Sequence, residues 1–391
     1  MSLRSTGARL ALISLVALLL GGCSSSTVRT TEVTPVIAGD PSMPEDQLLD
    51  VGVRLFDPNT AKLTEEEIFT SPEIRKAEAR YMPMVLADTL QRSGHWGAVR
   101  VAPTETGVSD IVVAGKILES TGEKLSLEIR VSDAAGAAWY TKQYEGYASK
   151  YSYEGKRVPE PFQDVYNRIS NDLALARAKL PAADATRLRT ISELRFAENF
   201  APKAFGGFLD IDKKGRVSVR RLPAENDPML ERIRRIRERD NLFVDTLQDY
   251  YTGFSKQMSG PYQDWRKESY SESIAYRELR AQATGRTIAG VASILAGIAA
   301  QTGDSAATRA AGTVGIIGGA AMVKSGFDKR AESKMRAETL KELGGSLSAE
   351  IEPQVIELED RSVTLTGSVQ DQYGQWREIL RGIYEAETGS I

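Results

Sequence analysis

Cys23 and His95 are the only cysteine and the only histidine among 391 residues. The side chains that most often serve as nucleophile, proton shuttle or soft metal ligand therefore occur once each. One of each cannot build a thiolate zinc site, an intramolecular disulfide or a His-rich metal centre, so neither a metal nor a cofactor is expected. His95 stands beside Trp96 in a turn and reads as a loop or capping residue. Asp210-Ile211-Asp212-Lys213-Lys214-Gly215 has the opening of a calcium-binding loop. Lys213 and Lys214 stand among the would-be ligands, however, and Val217 and Val219 alternate afterwards, so a β-hairpin turn is expected there. No G-x-S-x-G, G-x-x-x-x-G-K-[ST] or G-x-G-x-x-G occurs in a strand-to-helix context. Paired carboxylates are abundant, but on helix surfaces they normally face solvent. No catalytic residue is placed and no enzymatic activity is expected. The alternative is a hydrolase whose carboxylates assemble only in three dimensions.

The balance of the chain points the same way. Fifty Lys+Arg against 53 Asp+Glu give a formal charge of -3, which supplies no global attraction to nucleic acid, and none is expected as a partner. A composition of 41% hydrophobic and 26% charged residues is that of a globular protein of two or three domains.

What chemistry Cys23 can do is set by its neighbours. Arg4 and Arg9 precede an apolar run from Leu10 to Leu20, the n-region and h-region of a secretory signal. As a helix that run covers only about 16 Å, too little to span a bilayer permanently. Its end, Leu20-Gly21-Gly22-Cys23, resembles the lipobox of bacterial lipoproteins. The resemblance implies cleavage of residues 1–22 and acylation of Cys23; the alternative is a plain signal peptide with an incidental cysteine. Ser24, Ser25 and Ser26 follow, and the family's inner-membrane retention signal, an Asp directly after the Cys, is missing. The implied location is the outer membrane, lipid-anchored and facing mainly the periplasm. Residues 23–45, rich in Ser, Thr, Pro and Gly, read as a flexible tether.

Residues 46–200 alternate between two periods. Val51, Val53 and Leu55 mark a strand; Ser71-Pro72 starts a helix to about Arg92, which Pro83 should kink or restart. Val99 and Val101, Ile111 to Ile117, then Leu125, Leu127, Ile129 and Val131 give three more strands. Asp133-Ala134-Ala135-Gly136 turns the chain into a fifth strand with Trp139 and Tyr144. Phe162, Val165, Ile169, Leu173 and Leu175 form a helical stripe. The order β-α-β-β-β-β-α predicts an α+β fold. Asp50-Val51-Gly52-Val53, Leu86-Ala87-Asp88-Thr89-Leu90, Asp110 to Gly115 and Ile129 to Gly136 are similar to matching elements of a superfamily of envelope proteins. It includes the curli secretion channel lipoprotein, the lipoprotein activators of penicillin-binding proteins and the TolB amino-terminal domain. The resemblance implies a non-catalytic module for docking or oligomerisation.

A hairpin connector is expected at 201–225 and amphipathic helices at 226–286, with a second helix starting at Gly260-Pro261. Arg232, Arg234, Arg235, Arg237 and Arg239 alternate with acids, which reads as a solvated face or as a site for phosphate or lipid headgroups. Residues 287–323 shift to two uncharged arms around the polar link Gln301-Thr302-Gly303-Asp304-Ser305. Small residues recur every four positions: Gly285, Ala289, Ser293 and Gly297 on one arm, Ala307, Ala311, Gly315 and Gly319 on the other. This spacing lets two helix backbones approach closely. It resembles the glycine-zipper hairpins of envelope lipoproteins. Each arm covers about 21 Å against a typical core of about 30 Å, so a buried soluble hairpin competes with membrane insertion or membrane-linked oligomerisation. Residues 324–391 read as a helix, a β-hairpin and a terminal helix carrying Tyr373, Trp376, Leu380, Ile383 and Tyr384.

The expectation is a lipid-anchored outer-membrane protein that serves envelope assembly or secretion without catalysis. Its partners would be outer-membrane lipid through acylated Cys23, envelope proteins and a possible homo-oligomer. The alternative is an oligomeric pore or export-channel subunit whose hairpins cross the membrane.

Overall fold

The alternating apolar residues do form one sheet. A computed structural model describes residues 32–62, 72–102, 109–154, 160–300, 354–357 and 362–389, with backbone alone at 272, 275–300, 354 and 357. Every described residue belongs to one compact unit. Its strands are β1 (Val51–Arg54), β2 (Val99–Ala102), β3 (Ile111–Ser120), β4 (Lys124–Asp133) and β5 (Ala138–Tyr147), ordered β2-β1-β3-β4-β5. β1 pairs in parallel with β2 and β3, and β3-β4-β5 is an antiparallel meander. Leu125, Leu127, Ile129 and Val131 are fully buried, as the period of two requires. Helices α1 (Pro72–Ser93) and α2 (Gln163–Ala178) pack on the sheet, giving the α+β class.

Pro83 does not restart the first helix: α1 runs unbroken across it. Proline cannot donate to the carbonyl four residues back, and here the Ala79 carbonyl is used by Phe56 N–H at 2.9 Å. The missing donor thus becomes a weld between α1 and the end of β1. The Phe56 ring in turn lies where any side chain on Gly115 would have to be, 2.5 Å from an added Cβ.

The Asp133–Gly136 turn forms as expected. Asp133 accepts from Ala137 N–H (2.8 Å) and Trp139 Nε1 (2.9 Å), and Gly136 has φ +74°. A Cβ on Gly136 would stand 2.6 Å from the Gly215 carbonyl oxygen in the next hairpin. Gly136→Val should therefore cost about 1–3 kcal/mol for the left-handed backbone alone. An unchanged urea midpoint would show that the turn tolerates a β-branched residue.

Three expectations change. Helix α3 (Ala182–Phe200) lies between the stripe on α2 and the hairpin β6 (Leu209–Ile211) and β7 (Val217–Val219), where no helix was anticipated. Gly260-Pro261 opens no new helix, because α4 runs through it from Pro228 to Ala300. Met258, Tyr262 and Trp265 are buried on both sides of the proline, and their packing outweighs one lost backbone bond. The tether expected over 23–45 is held from Thr34 onward. Asp164 accepts from Thr34 N–H, Asn167 donates to the Thr34 carbonyl, and Asn171 accepts from Ile37 N–H and donates to the Pro35 carbonyl, all at 2.8 Å. Local composition does not show this hold, because the partners lie about 130 residues away.

The carboxy-terminal unit, β8 (Gln354–Glu357), β9 (Ser362–Leu365) and α5 (Val369–Thr388), packs back on α4. Trp376 meets Phe243 with ring centroids 5.2 Å apart, and buried Asp240 accepts from Tyr373 and Arg377, each at 3.2 Å. Buried residues of 46–200, of the connector and of α4 belong to one continuous core.

Candidate functional site

The strand directions give the body two distinct ends. At one end lie the starts of β1 and β3 and the β4–β5 turn, since Val51 pairs with Ile111 and Ile111 with Asp133. At the other lies the β3–β4 turn at Thr121–Glu123, beside Tyr147, because Lys124 pairs with Tyr147.

The first end carries a cleft of about 940 Å³ between β1, β2, α3 and α4. Its floor comes from strand starts whose first N–H groups need acceptors. Asp110, 2% exposed, takes Asp50 N–H at 2.9 Å, and Asp50 takes Ala98 N–H at 2.8 Å. Burial pushes the Asp110 carboxyl above its ordinary value, against the pull of the Asp50 N–H and Arg237. Arg100 grips Asp245 with two nitrogens at 2.6 and 2.9 Å, and Arg234 pairs with Glu193 at 2.6 Å. Burial alone would lower the Arg100 guanidinium, but Asp245 outweighs it and the net shift is upward. These acids are already satisfied by backbone N–H groups at the strand starts and by arginines. Among the described residues no cluster of three or more His, Cys, Asp or Glu could hold a metal ion.

The arginine run contributes to this wall. Arg234 reaches Glu193 on α3, Arg237 donates to Ser192 at 2.9 Å, and Arg232 donates to the Glu387 carbonyl at 3.0 Å. Three members of the run thus cross-link helices. Arg234 also pairs with Glu231 one turn back at 2.5 Å, and Arg234, Arg235 and Arg239 are exposed, in keeping with a solvated face.

The second end is where two segments leave the body. The first turn of α2 covers the end of β5: a Cβ on Gly146 would meet Val165 at 2.5 Å. Thr34 is bound there, on Asp164, and the strap runs from it to Gly39, whose N–H donates to the Ser93 carbonyl at the far end of α1. His95, held near the Ile37 carbonyl at 3.2 Å, sits against this strap, in keeping with a loop histidine. Helix α4 travels the opposite way. Gln248 bonds Val101, Tyr262 donates to Glu78, and the backbone of Arg266 and Tyr270 lies against Gly122 in the β3–β4 turn. The junction is a buried polar lock. Glu78, 0% exposed, accepts from Ser120 and Tyr262, each at 2.6 Å, while fully buried Arg266 pairs with Glu160 and lies 4.0 Å over the Tyr262 ring. Burial holds the Tyr262 hydroxyl far above its ordinary value. No sequence signal marks this lock, because its bonded partners lie up to 184 residues apart.

The strap yields a prediction with a sign. Burial pushes the Asp164 carboxyl up, but Thr34 N–H and Arg168 outweigh it, so its value is lowered. Its contribution is then present above the unfolded value of about 3.9 and is lost as pH falls through the lowered one. Amide protection of Thr34 and Ile37 should therefore survive mild acid and vanish only below the ordinary carboxylate range. Asn171→Ala should weaken that protection at neutral pH by about 1–2 kcal/mol for the bonds it removes. Hydrogen exchange checks both, and unprotected amides in the parent protein would refute the clamp.

The anticipated residues fall as follows. Cys23, Ala307, Ala311, Gly315 and Gly319 lie outside the described residues. Gly285, Ala289, Ser293 and Gly297 lie on the last turns of α4, described as backbone. Asp212 and Gly215 make the expected hairpin turn: Asp212 accepts from Lys214 and Arg216 N–H, both at 2.8 Å, and Gly215 has φ +75°. Among the described residues no helix is long and apolar enough to cross a membrane.

No known protein family matches the sequence, and no curated protein does. Solved structures with partial likeness include a Xanthomonas campestris protein assigned to DUF330, at 11% identity and TM-score 0.24, covering 36% of this chain and 90% of that one. A PelC dodecamer from Paraburkholderia phytofirmans matches at 17% identity and TM-score 0.18, covering 41% of this chain and 97% of that one.

Proposed function

We propose that the protein is a lipid-anchored outer-membrane protein that acts without catalysis as an envelope assembly or secretion accessory. One observation carries this reading. The strap toward Cys23 and the long helix α4 leave the folded body at the same end, while the charged cleft opens at the other. Residue 32, the first described, follows Cys23 by nine residues, which reach at most about 32 Å when extended. An acylated Cys23 would thus tether the body from its β3–β4 end and leave the cleft at the other end open to an envelope protein. Cys23→Ala tests the anchor. It is expected to abolish lipid labelling and release the protein from the membrane fraction, since stable attachment needs several acyl chains. Full membrane retention of the unlabelled variant would contradict this reading.

A second reading, an oligomeric export-channel subunit, draws support from the unbroken passage of α4 into its uncharged arm at 287–300. Native-size measurement of detergent-extracted protein separates them: a large closed ring favours the channel and a monomer the docking module.

A further inference from the structure

The β6–β7 hairpin lies at the end of the body that carries the cleft. Its register pairs Leu209 with Val219 and Ile211 with Val217, so these four share one face. Leu209 and Val217 are buried where that face packs on α3, and Val217 N–H donates to the Ala135 carbonyl at 2.9 Å. The same period turns Arg216, Ser218 and Arg220 to the opposite face. Lys213 and Lys214 fill the turn that Asp212 holds. Residues 209–222 therefore set Lys213, Lys214, Arg216, Arg220 and Arg221, all exposed, against two acids, Asp210 and Asp212. Asp210 stands 4.0 Å from Arg220, and Asp212 is taken up by the turn, which leaves the cations in excess. Arg195 on α3, also exposed, donates to the Ala134 carbonyl at 2.8 Å, one residue from the hairpin's own bond to Ala135. In a chain of formal charge -3 this is a strong local reversal of sign. Two large aliphatic side chains accompany it: Ile211 is 68% and Leu222 67% exposed.

We infer that this basic hairpin docks an acidic segment of a partner protein, whose apolar side chains cover Ile211 and Leu222. The inference deepens the reading above and rests on it, since it states the chemistry of the envelope protein that the tethered body meets. Charge complementarity calls for a negative partner. The rest of the surface then selects among anions. Single-stranded nucleic acid is gripped by exposed rings, whereas Phe208, the one aromatic residue of 206–222, is buried with the Arg221 guanidinium 4.3 Å from its ring centroid. The strap toward Cys23 leaves from the β3–β4 end, so the hairpin, like the cleft, stands at the end away from the tether. Two exposed aliphatic side chains beside a charged rim suit a protein interface, which joins apolar contacts to polar ones.

The test uses the full lipidated chain in detergent and a dye-labelled peptide of glutamates interrupted by two leucines, followed by fluorescence anisotropy. The parent is expected to bind it, and to bind about tenfold more weakly once salt reaches about 0.5 M. Lys213→Glu with Lys214→Glu, which alters only exposed side chains, is expected to weaken binding by at least about tenfold. Lys256→Glu with Lys267→Glu makes the same change of charge at exposed positions of α4 beside Met258 and Arg266, and is expected to leave binding within about twofold. Equal losses in the two pairs, or no binding by the parent, overturn the inference. An all-glutamate peptide, a DNA strand or phosphatidylglycerol in mixed micelles that competes as well as the unlabelled leucine-bearing peptide overturns the choice of a protein segment. Lipidated protein that ignores the peptide overturns the docking hairpin and leaves the tether standing. Peptide binding, lost on Lys213→Glu with Lys214→Glu, by a chain that carries no lipid removes the tether and supports the hairpin.

Discussion

Arg266→Ala is expected to destabilise the folded body by about 3–5 kcal/mol, the usual cost of stranding one partner of a buried ion pair. Arg266 is fully buried, pairs with Glu160, and stacks over both Tyr262 at 4.0 Å and Phe162 at 4.7 Å. Burial opposes its charge, but Glu160 and the surrounding tyrosines outweigh that and hold the guanidinium protonated. Alanine would remove the charge and the stacking together, leaving Glu160 with Gln263 at 3.1 Å and Tyr81 at 3.4 Å. Arg266→Met combined with Glu160→Gln should recover much of the loss, because removing both charges also removes the unpaired one. Urea midpoints of the single and double variants measure this. A single variant as stable as the parent would mean that the lock does not hold α4.

Gly122→Val addresses the same junction without altering charge. A Cβ there would collide with the Arg266 carbonyl oxygen and the Tyr270 nitrogen, both backbone atoms of α4 that no rotamer change can move. The helix must shift, and a loss of at least about 1–3 kcal/mol is expected from the overpacking. The consequence should be directional. Cleavage sites in α4 beyond Met258 should open to a protease, while the sheet, whose β3–β4 pairing runs from the adjoining Ser120–Leu125 pair to Ile111–Asp133 at the far end, stays protected. Identical digestion of variant and parent would show that α4 does not depend on this contact. With Arg266→Ala, this variant measures whether the body holds α4 at the end from which it leaves.

How much of this was legible in the sequence follows the range of the forces involved. The strands around Val51, Val113, Leu127 and Trp139, the Asp133–Gly136 turn, the Asp212–Gly215 turn and the terminal helix with Trp376 were readable, because period and turn chemistry act over a few residues. The chemistry expected of Cys23 is likewise a local matter of its neighbours. Helix α3 also carries a local signal, since Leu188, Ile191 and Leu194 recur at helical spacing and are buried.

Tertiary structure alone decided the rest. Pro83 and Pro261 stay inside helices because each lost bond is small beside the packing around it, and in one case the freed carbonyl is reused by Phe56. Residues 34–39 are ordered by Asp164, Asn167 and Asn171, whose role depends on a helix far along the chain. The lock at Glu78 and Arg266, and the fact that the strap and α4 leave at one end, arise from contacts between residues more than a hundred positions apart. Local spacing could announce which residues are apolar, small or turn-forming. Which end of the body they mark was fixed only when long-range burial set the direction of every element.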